Sequence, residues 1–318
     1  MKNNFKLSRI ASKFDKGYFN IYQFGYDENN KFVTKVDKIR DYFYYSANNI
    51  DDIMDTPNMD FGDTQFYDSF NGEKVNKVFY NSIKIKNKIV REKAPRTYHG
   101  DVSPEFKHIL DKGLEWTNNR HIIYYDIETW VDLENPTDNK PENAKQPITS
   151  IQCYSTDKKQ YFVFAWHPEK TKDLSEPSMK TEGNTTYVMC KDEEDVIMGF
   201  INLLSISHCD ILTGWYCSGY DMPYIINRCK KLGLPYEEIS PIKDVFMKRR
   251  GEYWRINIRG LDHVDMMEAL QDMGYNLPNW KLATASKEIL GMGEMEKLTE
   301  VTWRDWIDNF DGFIKYGI

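Results

Sequence analysis

No stretch of this 318-residue chain comes near the ~18 consecutive apolar residues that a membrane-spanning helix needs, so no membrane partner is expected. Met1 to Lys16 is mixed and polar and lacks the apolar centre of a secretion signal. The five cysteines (Cys153, Cys190, Cys209, Cys217 and Cys229) include no Cys-x-x-Cys pair. Most of them sit in or beside apolar stretches, where a thiol packs as a small core residue, and a reducing cytoplasm fits best. Internal repeats and low-complexity tracts are missing as well. What is present is 41% hydrophobic and 29% charged residues, enough for a sizeable core in a soluble chain of roughly two domains.

A net charge of −7 speaks at first against a nucleic-acid partner, but the charge is unevenly spread. Residues 1–120 hold 20 Lys and Arg against 17 Asp and Glu, whereas 121–318 hold 22 against 32. Lys74 to Arg96 carries eight basic residues and one acid, Glu92. Such a strip can follow a phosphate backbone or form a solvated face. The acidic second part suits a site for divalent cations.

Residues 1–100 read as short strands among Asn/Asp-rich turns, with strands at Lys31–Val36, Lys77–Tyr80 and Ser82–Val90 and an acidic loop from Asn48 to Asp68. A domain boundary falls between Ala94 and Asn119. Beyond it, His121–Ile127, Thr149–Ser155 and Gln160–Trp166 read as strands, the last two joined by a turn at Thr156–Lys159. Asp192 caps a helix running to about Ile206. Asp210–Trp215 is a short strand. Asp221–Leu232 is a helix with Pro223 in its first turn and Gly233 at its C-cap. Further helices are expected at Asp265–Met273, Leu282–Leu290 and Thr302–Tyr316. The order suggests a mixed sheet with helices packed on it.

Two local patterns carry chemistry. Asp126-Ile127-Glu128-Thr129 ends an apolar strand, and residues two apart on a strand share a face, so both carboxylates point to one side. Like charges that close repel unless neutralised; a pair of Mg²⁺ or Mn²⁺ ions does this with hard oxygen ligands and serves phosphoryl displacement. Alone, the same pattern is also a solvated strand end. The second pattern, Thr213 through a glycine-punctuated loop to Asp221 and on to Arg228, places an Asp at a helix start, where it is an N-cap, a further site carboxylate, or both.

Together the two patterns resemble the first and second exonuclease motifs of family B DNA polymerases. Gly100 to Leu114 is similar to the segment before the first motif in that family, and Arg259–Asp265 with Asn276–Leu282 to the stretch after the second. Ser240-Pro-Ile242 resembles the T-even phage branch. The likeness runs collinearly over about residues 95–318 and is only positional before that.

The resemblance implies an α/β chain: a strand-rich N-terminal domain (1–110), then a ribonuclease H-like (DnaQ-type) 3′→5′ exonuclease domain (111–318). Asp126 would bridge two Mg²⁺ or Mn²⁺ ions, Glu128 would complete the inner site and position water, and Asp221 would support the outer ion. The substrate would be a single-stranded or frayed primer 3′ end of DNA, since a paired terminus cannot enter such a site. Thr129, Tyr216 and Tyr220 are expected to contact that strand, with Trp215 either stacking or buried. Lys248, Arg249 and Arg250, before Gly251, fall where relatives have a hairpin that helps separate primer from template; they also read as a basic surface turn. Asp265 is expected to cap the following helix and not to bind metal.

Two departures from the family pattern stand out. Tyr216 occupies a position that is usually Asn, which changes the hydrogen bonding offered to DNA. In the third motif, Tyr-x-x-x-Asp, Tyr316 fits the Tyr that orders the attacking water, while the Asp would fall two residues past Ile318. The expectation is therefore an exonuclease portion that works with a polymerase-core chain, and through it possibly a sliding clamp, as a fragment or a split subunit. A non-catalytic DNA-binding or assembly subunit, and a free-standing nuclease, remain as alternatives.

Overall fold

The structure is a computed structural model that describes residues 5–62, 65–131, 134–135, 139–251, 253–291 and 304–316. The chain divides into two compact units, Met1–Asn119 and Arg120–Ile318.

In the first unit, strands Lys6–Asp15, Tyr18–Tyr26 and Phe32–Ile39 form an antiparallel meander, with Glu115–Trp116 added beside the first. A second sheet is centred on Tyr42–Ser46 and Lys74–Tyr80. Phe19, Ile21, Phe43, Tyr45, Val78 and Tyr80 share one core. Ser82–Val90, expected as a strand, is instead part of a helix over Ile83–Glu92. The Ile-Lys-Ile-Lys opening has a strand's period of two, but Ile85 and Ile89 are also four apart and turn together onto the core. Ser82 caps the helix by accepting the Ile85 N–H at 3.4 Å. Lys84, Lys88 and Arg91 of the basic strip are left exposed. The stretch expected as an acidic loop holds a short helix at Asp51–Met54 and two small strands.

The second unit is a seven-stranded mixed sheet with helices on both faces. Its elements are β1 (Ile122–Thr129), β2 (Ile148–Ser155), β3 (Gln160–Ala165), β4 (Ser178–Glu182), β5 (Thr185–Met189), α1 (Glu193–Ile206), β6 (Ile211–Gly214), α2 (Asp221–Leu232), β7 (Val245–Arg250), β8 (Tyr253–Ile258), β9 (Asp262–Asp265), α3 (Met266–Asp272), α4 (Leu282–Leu290), α5 (Asp305–Asp308) and α6 (Phe310–Tyr316). The strand order is β4-β5-β3-β2-β1-β6-β9. β1, β2 and β3 run as the expected antiparallel meander, while β6 and β9 lie parallel to β1. This is the α/β, ribonuclease H-like arrangement, preceded by a strand-rich unit.

Alternation in β1 sends Ile123, Tyr125 and Ile127 into the core beneath α1 and α2. Burying three such side chains contributes on the order of 2 kcal/mol each. A smaller cluster packs Trp306, Phe310, Phe313 and Ile314 against Val163, Ala165 and Tyr187. The helix expected over Thr302–Tyr316 is broken at Asn309, whose backbone leaves the helical region. The Asn309 side chain then accepts the Gly312 N–H at 3.2 Å and restarts the helix as α6. Thr302 and Trp303 lie outside the described residues.

Candidate functional site

The site begins where β1 outruns its neighbour. β6 pairs with β1 only as far as Tyr124↔Thr213, then turns away at Gly214. The N–H of Ile127 is left without a ladder partner on that side, and Asp221 Oδ1 accepts it at 3.2 Å. One hydrogen bond thus ties the first residue of α2 to the strand that carries Asp126 and Glu128. Those two lie on the face opposite Ile123, Tyr125 and Ile127, Asp126 open to solvent and Glu128 half-buried. Asp221 is buried.

Three carboxyl groups this close alter one another's protonation. Burial raises the Asp126 carboxyl above the ordinary carboxylate range, with hydrogen bonds from Ile127 and to Asp221 working the other way. Although its surface touches water, protein atoms crowd it on most sides. Glu128 is pushed up to about 7, by burial first and the charge on Asp126 second. Asp221 is raised well above its usual value by burial and then by Asp126. Desolvation disfavours a charge, and a neighbouring like charge disfavours it further. Among the described residues, no lysine or arginine compensates the three.

The donor set is carboxylate oxygen throughout, the chemistry that Mg²⁺ and Mn²⁺ prefer, so the residues present fit a hard divalent cation. Their side chains do not converge on a common point: among the described residues, no group of three or more Asp, Glu, His or Cys is drawn together closely enough to hold a metal.

The loop from Gly214 to Tyr220 delivers Asp221, and close approach shapes it. A Cβ at Gly214 would lie 2.6 Å from the Tyr125 carbonyl oxygen, so only glycine fits there. Tyr216 takes a left-handed conformation (φ 57°) and its carbonyl accepts the Gly219 and Tyr220 N–H groups at 3.0 Å. Asp265 fixes the loop from outside. Its Oδ1 accepts the Tyr216 N–H (3.0 Å) and its Oδ2 the Ser218 N–H (2.8 Å), while Oδ1 also caps α3 through Met267 at 3.0 Å. The cap was expected from the sequence; the grip on the loop was not.

Thr129 and Tyr220 meet beside the carboxylates, Oγ1 to phenol oxygen at 3.2 Å, and Asn139 Nδ2 donates to the same Thr129 oxygen at 3.3 Å. The other end of the second pattern has a supporting task. Arg228 pairs with Glu193 through two nitrogens at 2.6 and 2.7 Å and donates to the Lys145 carbonyl at 2.9 Å. Asn227 donates to the Pro141 carbonyl and Tyr224 to that of Gln146. These three side chains hold the β1–β2 connection against α2. Behind β1, burial pushes His263 down to about 4; neutral, its Nε2 accepts the Tyr125 O–H at 3.0 Å.

Other expected site residues lie apart. Tyr216 is exposed, and Trp215 is half-buried with its indole N–H on the Trp280 carbonyl at 3.1 Å. Lys248, Arg249 and Arg250 line the outer end of β7, in a two-stranded hairpin with β8 whose tip holds Gly251. Arg249 is engaged by Glu142 at 2.9 Å and by the Gly251 carbonyl. Tyr316 ends α6, and its side chain lies outside the described residues, as does anything beyond it.

Comparison with known proteins agrees with this arrangement. Residues 78–285 match the family described as DNA polymerase family B, exonuclease domain. The chain is 29% identical over 206 residues to the DNA polymerase catalytic subunit of Alcelaphine herpesvirus 1, covering 60% of this chain and 18% of the relative. It is 25% identical over 189 residues to a DNA polymerase of Pyrococcus glycovorans (58% and 21%) and 24% over 178 residues to the DNA-directed DNA polymerase of Enterobacteria phage T4 (49% and 20%). It therefore spans about a fifth of the length of these relatives. With two-thirds of its length in that match and the motif carboxylates gathered at the end of β1, the chain belongs to the exonuclease-domain family of the family B DNA polymerases.

Proposed function

We propose that this chain is the 3′→5′ proofreading exonuclease portion of a family B DNA polymerase, removing a deoxynucleoside monophosphate from a DNA 3′ end. The observation that carries the reading is the meeting of Asp126, Glu128 and Asp221 with no cationic side chain among the described residues to balance them. Asp126, Glu128 and Asp221 would hold two Mg²⁺ or Mn²⁺ ions, and bound ions of this kind activate water and stabilise both oxygens of an in-line phosphoryl displacement.

The chain's own residues have distinct tasks. Asp221, anchored by the Ile127 N–H, sets one wall of the site. Glu128 offers an oxygen to orient the attacking water. Thr129 and Tyr220, fixed on each other, border the path of the strand, and the exposed Tyr216 ring offers a stacking surface. Lys248, Arg249 and Arg250 would meet phosphates farther along, where binding weakens with added salt. Tyr316 would order water beside a fourth carboxylate that the motif spacing puts two positions after Ile318. The reading includes a polymerase-core chain as partner, joined covalently or supplied separately, possible access to a sliding clamp through it, and work in the cytoplasm.

The test is digestion of 5′-labelled single-stranded DNA with Mg²⁺, with and without a polymerase-core chain. The expected result is shortening from the 3′ end, reduced at least 1000-fold by Asp126→Ala, about 4 kcal/mol of transition-state stabilisation. A second reading, a non-catalytic DNA-binding or assembly subunit, is favoured by one observation: no three ligating side chains converge among the described residues. Equal inertness of wild type and Asp126→Ala with the core chain present would establish it and end the nuclease reading.

A further inference from the structure

A cavity of about 560 Å³ opens beside Asp126, between the sheet and helices α3 and α4. Its sheet wall is a row of three tyrosines set in register across β1, β2 and β3: Tyr124 opposite Tyr154, and Tyr154 opposite Tyr161. Their ring centroids are 6.4 and 4.7 Å apart, with the planes tilted by 43° and 49°. Trp215 closes one side, and Leu282, Ala285 and Ile289 of α4 face the tyrosines. Tyr124 and Leu282 at the rim are 42% and 54% exposed, so large apolar surface is left facing water.

Two polar groups enter this apolar space. Asp126 stands at one end. Gln152, directly opposite Asp126 in the β1–β2 register, is 5% exposed; its Nε2 donates to Ser150 at 2.7 Å while its Oε1 is buried with no partner. Reversing the amide would only transfer the unmet need to the nitrogen. A buried amide atom without a hydrogen bond costs about 1–3 kcal/mol, and a ligand that supplies the bond recovers it. No lysine, arginine or histidine lines the cavity, so the phosphate of a nucleotide finds nothing to pair with inside.

We propose that this cavity is a nucleobase site: a planar heteroaromatic ring stacks against the tyrosine row and Trp215, with an exocyclic amine donating to Gln152. Base–aromatic stacking tolerates any base, while the single acceptor favours those that carry an amine. Asp126 is two residues along β1 from Tyr124, about 6.6 Å at the usual strand rise, so a base in the cavity leaves its phosphate outside, next to the carboxylates. The inference deepens the nuclease reading and rests on it for one of two sources of the base, the end of a DNA strand; the other source is a free nucleotide.

The test is fluorescence titration in EDTA, where no hydrolysis occurs, with two probes: 2-aminopurine deoxynucleoside monophosphate and a short oligodeoxynucleotide ending in 3′ 2-aminopurine. Saturable quenching of the oligonucleotide alone supports a strand-end site, and quenching of both supports a site that also takes free nucleotide. Quenching of neither overturns the proposal. Ala285→Trp, which fills the cavity from α4, is expected to weaken binding at least tenfold. Gln152→Leu, which keeps size and removes only the amide, is expected to weaken it about fivefold and covers the case in which Ala285→Trp does not fold. Unchanged affinity in folded Gln152→Leu and Ala285→Trp overturns the assignment. Because metal is absent, loss of quenching is separable from loss of Mg²⁺-dependent hydrolysis.

Discussion

Two groups of buried acid are handled in opposite ways. In the first unit Asp41 and Lys107 are each 1% exposed and face each other at 2.8 Å. Lys107 also donates to the Tyr42 carbonyl, and the Tyr80 O–H donates to the other oxygen of Asp41. Burial lowers the Lys107 ammonium and Asp41 partly restores it. Every charge there is answered from within the fold. In the second unit Asp126, Glu128 and Asp221 stand together, and among the described residues only backbone N–H groups and one another answer them. A satisfied buried pair is architecture; an unanswered cluster stores electrostatic strain that a cation from outside relieves.

The largest expected effect breaks the first group. Lys107→Ala strands Asp41 and should cost about 3–5 kcal/mol, read as a lower urea midpoint. Next is Asp265→Ala, which leaves the N–H groups of Tyr216, Ser218 and Met267 unmet. A loss of about 2–3 kcal/mol is expected by the same measurement, with Asp265→Asn recovering part of it.

The third prediction concerns pH. Because Glu128 is pushed up to about 7, the folded state holds more protons than the unfolded state between the ordinary glutamate value and 7. Metal-free stability should therefore fall as pH rises through that window. Glu128→Gln should flatten the slope and stabilise the metal-free protein near pH 8 by on the order of 2 kcal/mol, allowing for solvent in the cleft. His263, pushed down to about 4, acts with the opposite sign, removing stability as pH falls from its ordinary value towards 4. The smallest effect is the direct one. Mg²⁺ at ten times its dissociation constant should add about 1.4 kcal/mol, seen as a rise in Tm. The rise should vanish in Asp126→Ala and persist in a folded variant of the Asp41–Lys107 pair.

Local periodicity made much of the second unit legible. The shared face of Asp126 and Glu128 follows from strand alternation, and the helix at Asp221–Leu232 with its Gly233 cap follows from helix-end chemistry. Where two periods fit the same residues, as in Ile83–Val90, the sequence alone could not choose, and core packing decided for helix. The β4–β5 hairpin escaped notice because Ser178–Glu182 is exposed along its whole length and has no apolar face to betray it. Contacts across long separations were out of reach too. Asp265 reads as a cap from its neighbours, but its hold on Tyr216 spans 49 residues and depends on β6 and β9 lying side by side.

The turn at Tyr216 and Gly219 has a bearing on descent. A Cβ at Gly219 would sit 2.3 Å from the Tyr216 ring, so the two positions constrain each other. Tyrosine is a poor occupant of a left-handed backbone, whereas asparagine, which relatives of this motif carry, adopts it readily. The order in which the two positions change therefore matters. With tyrosine in place a side chain at 219 has to displace the ring, and with asparagine that obstacle is gone. The pair works as an evolutionary ratchet, in which an aromatic once gained at 216 locks in the glycine three residues on.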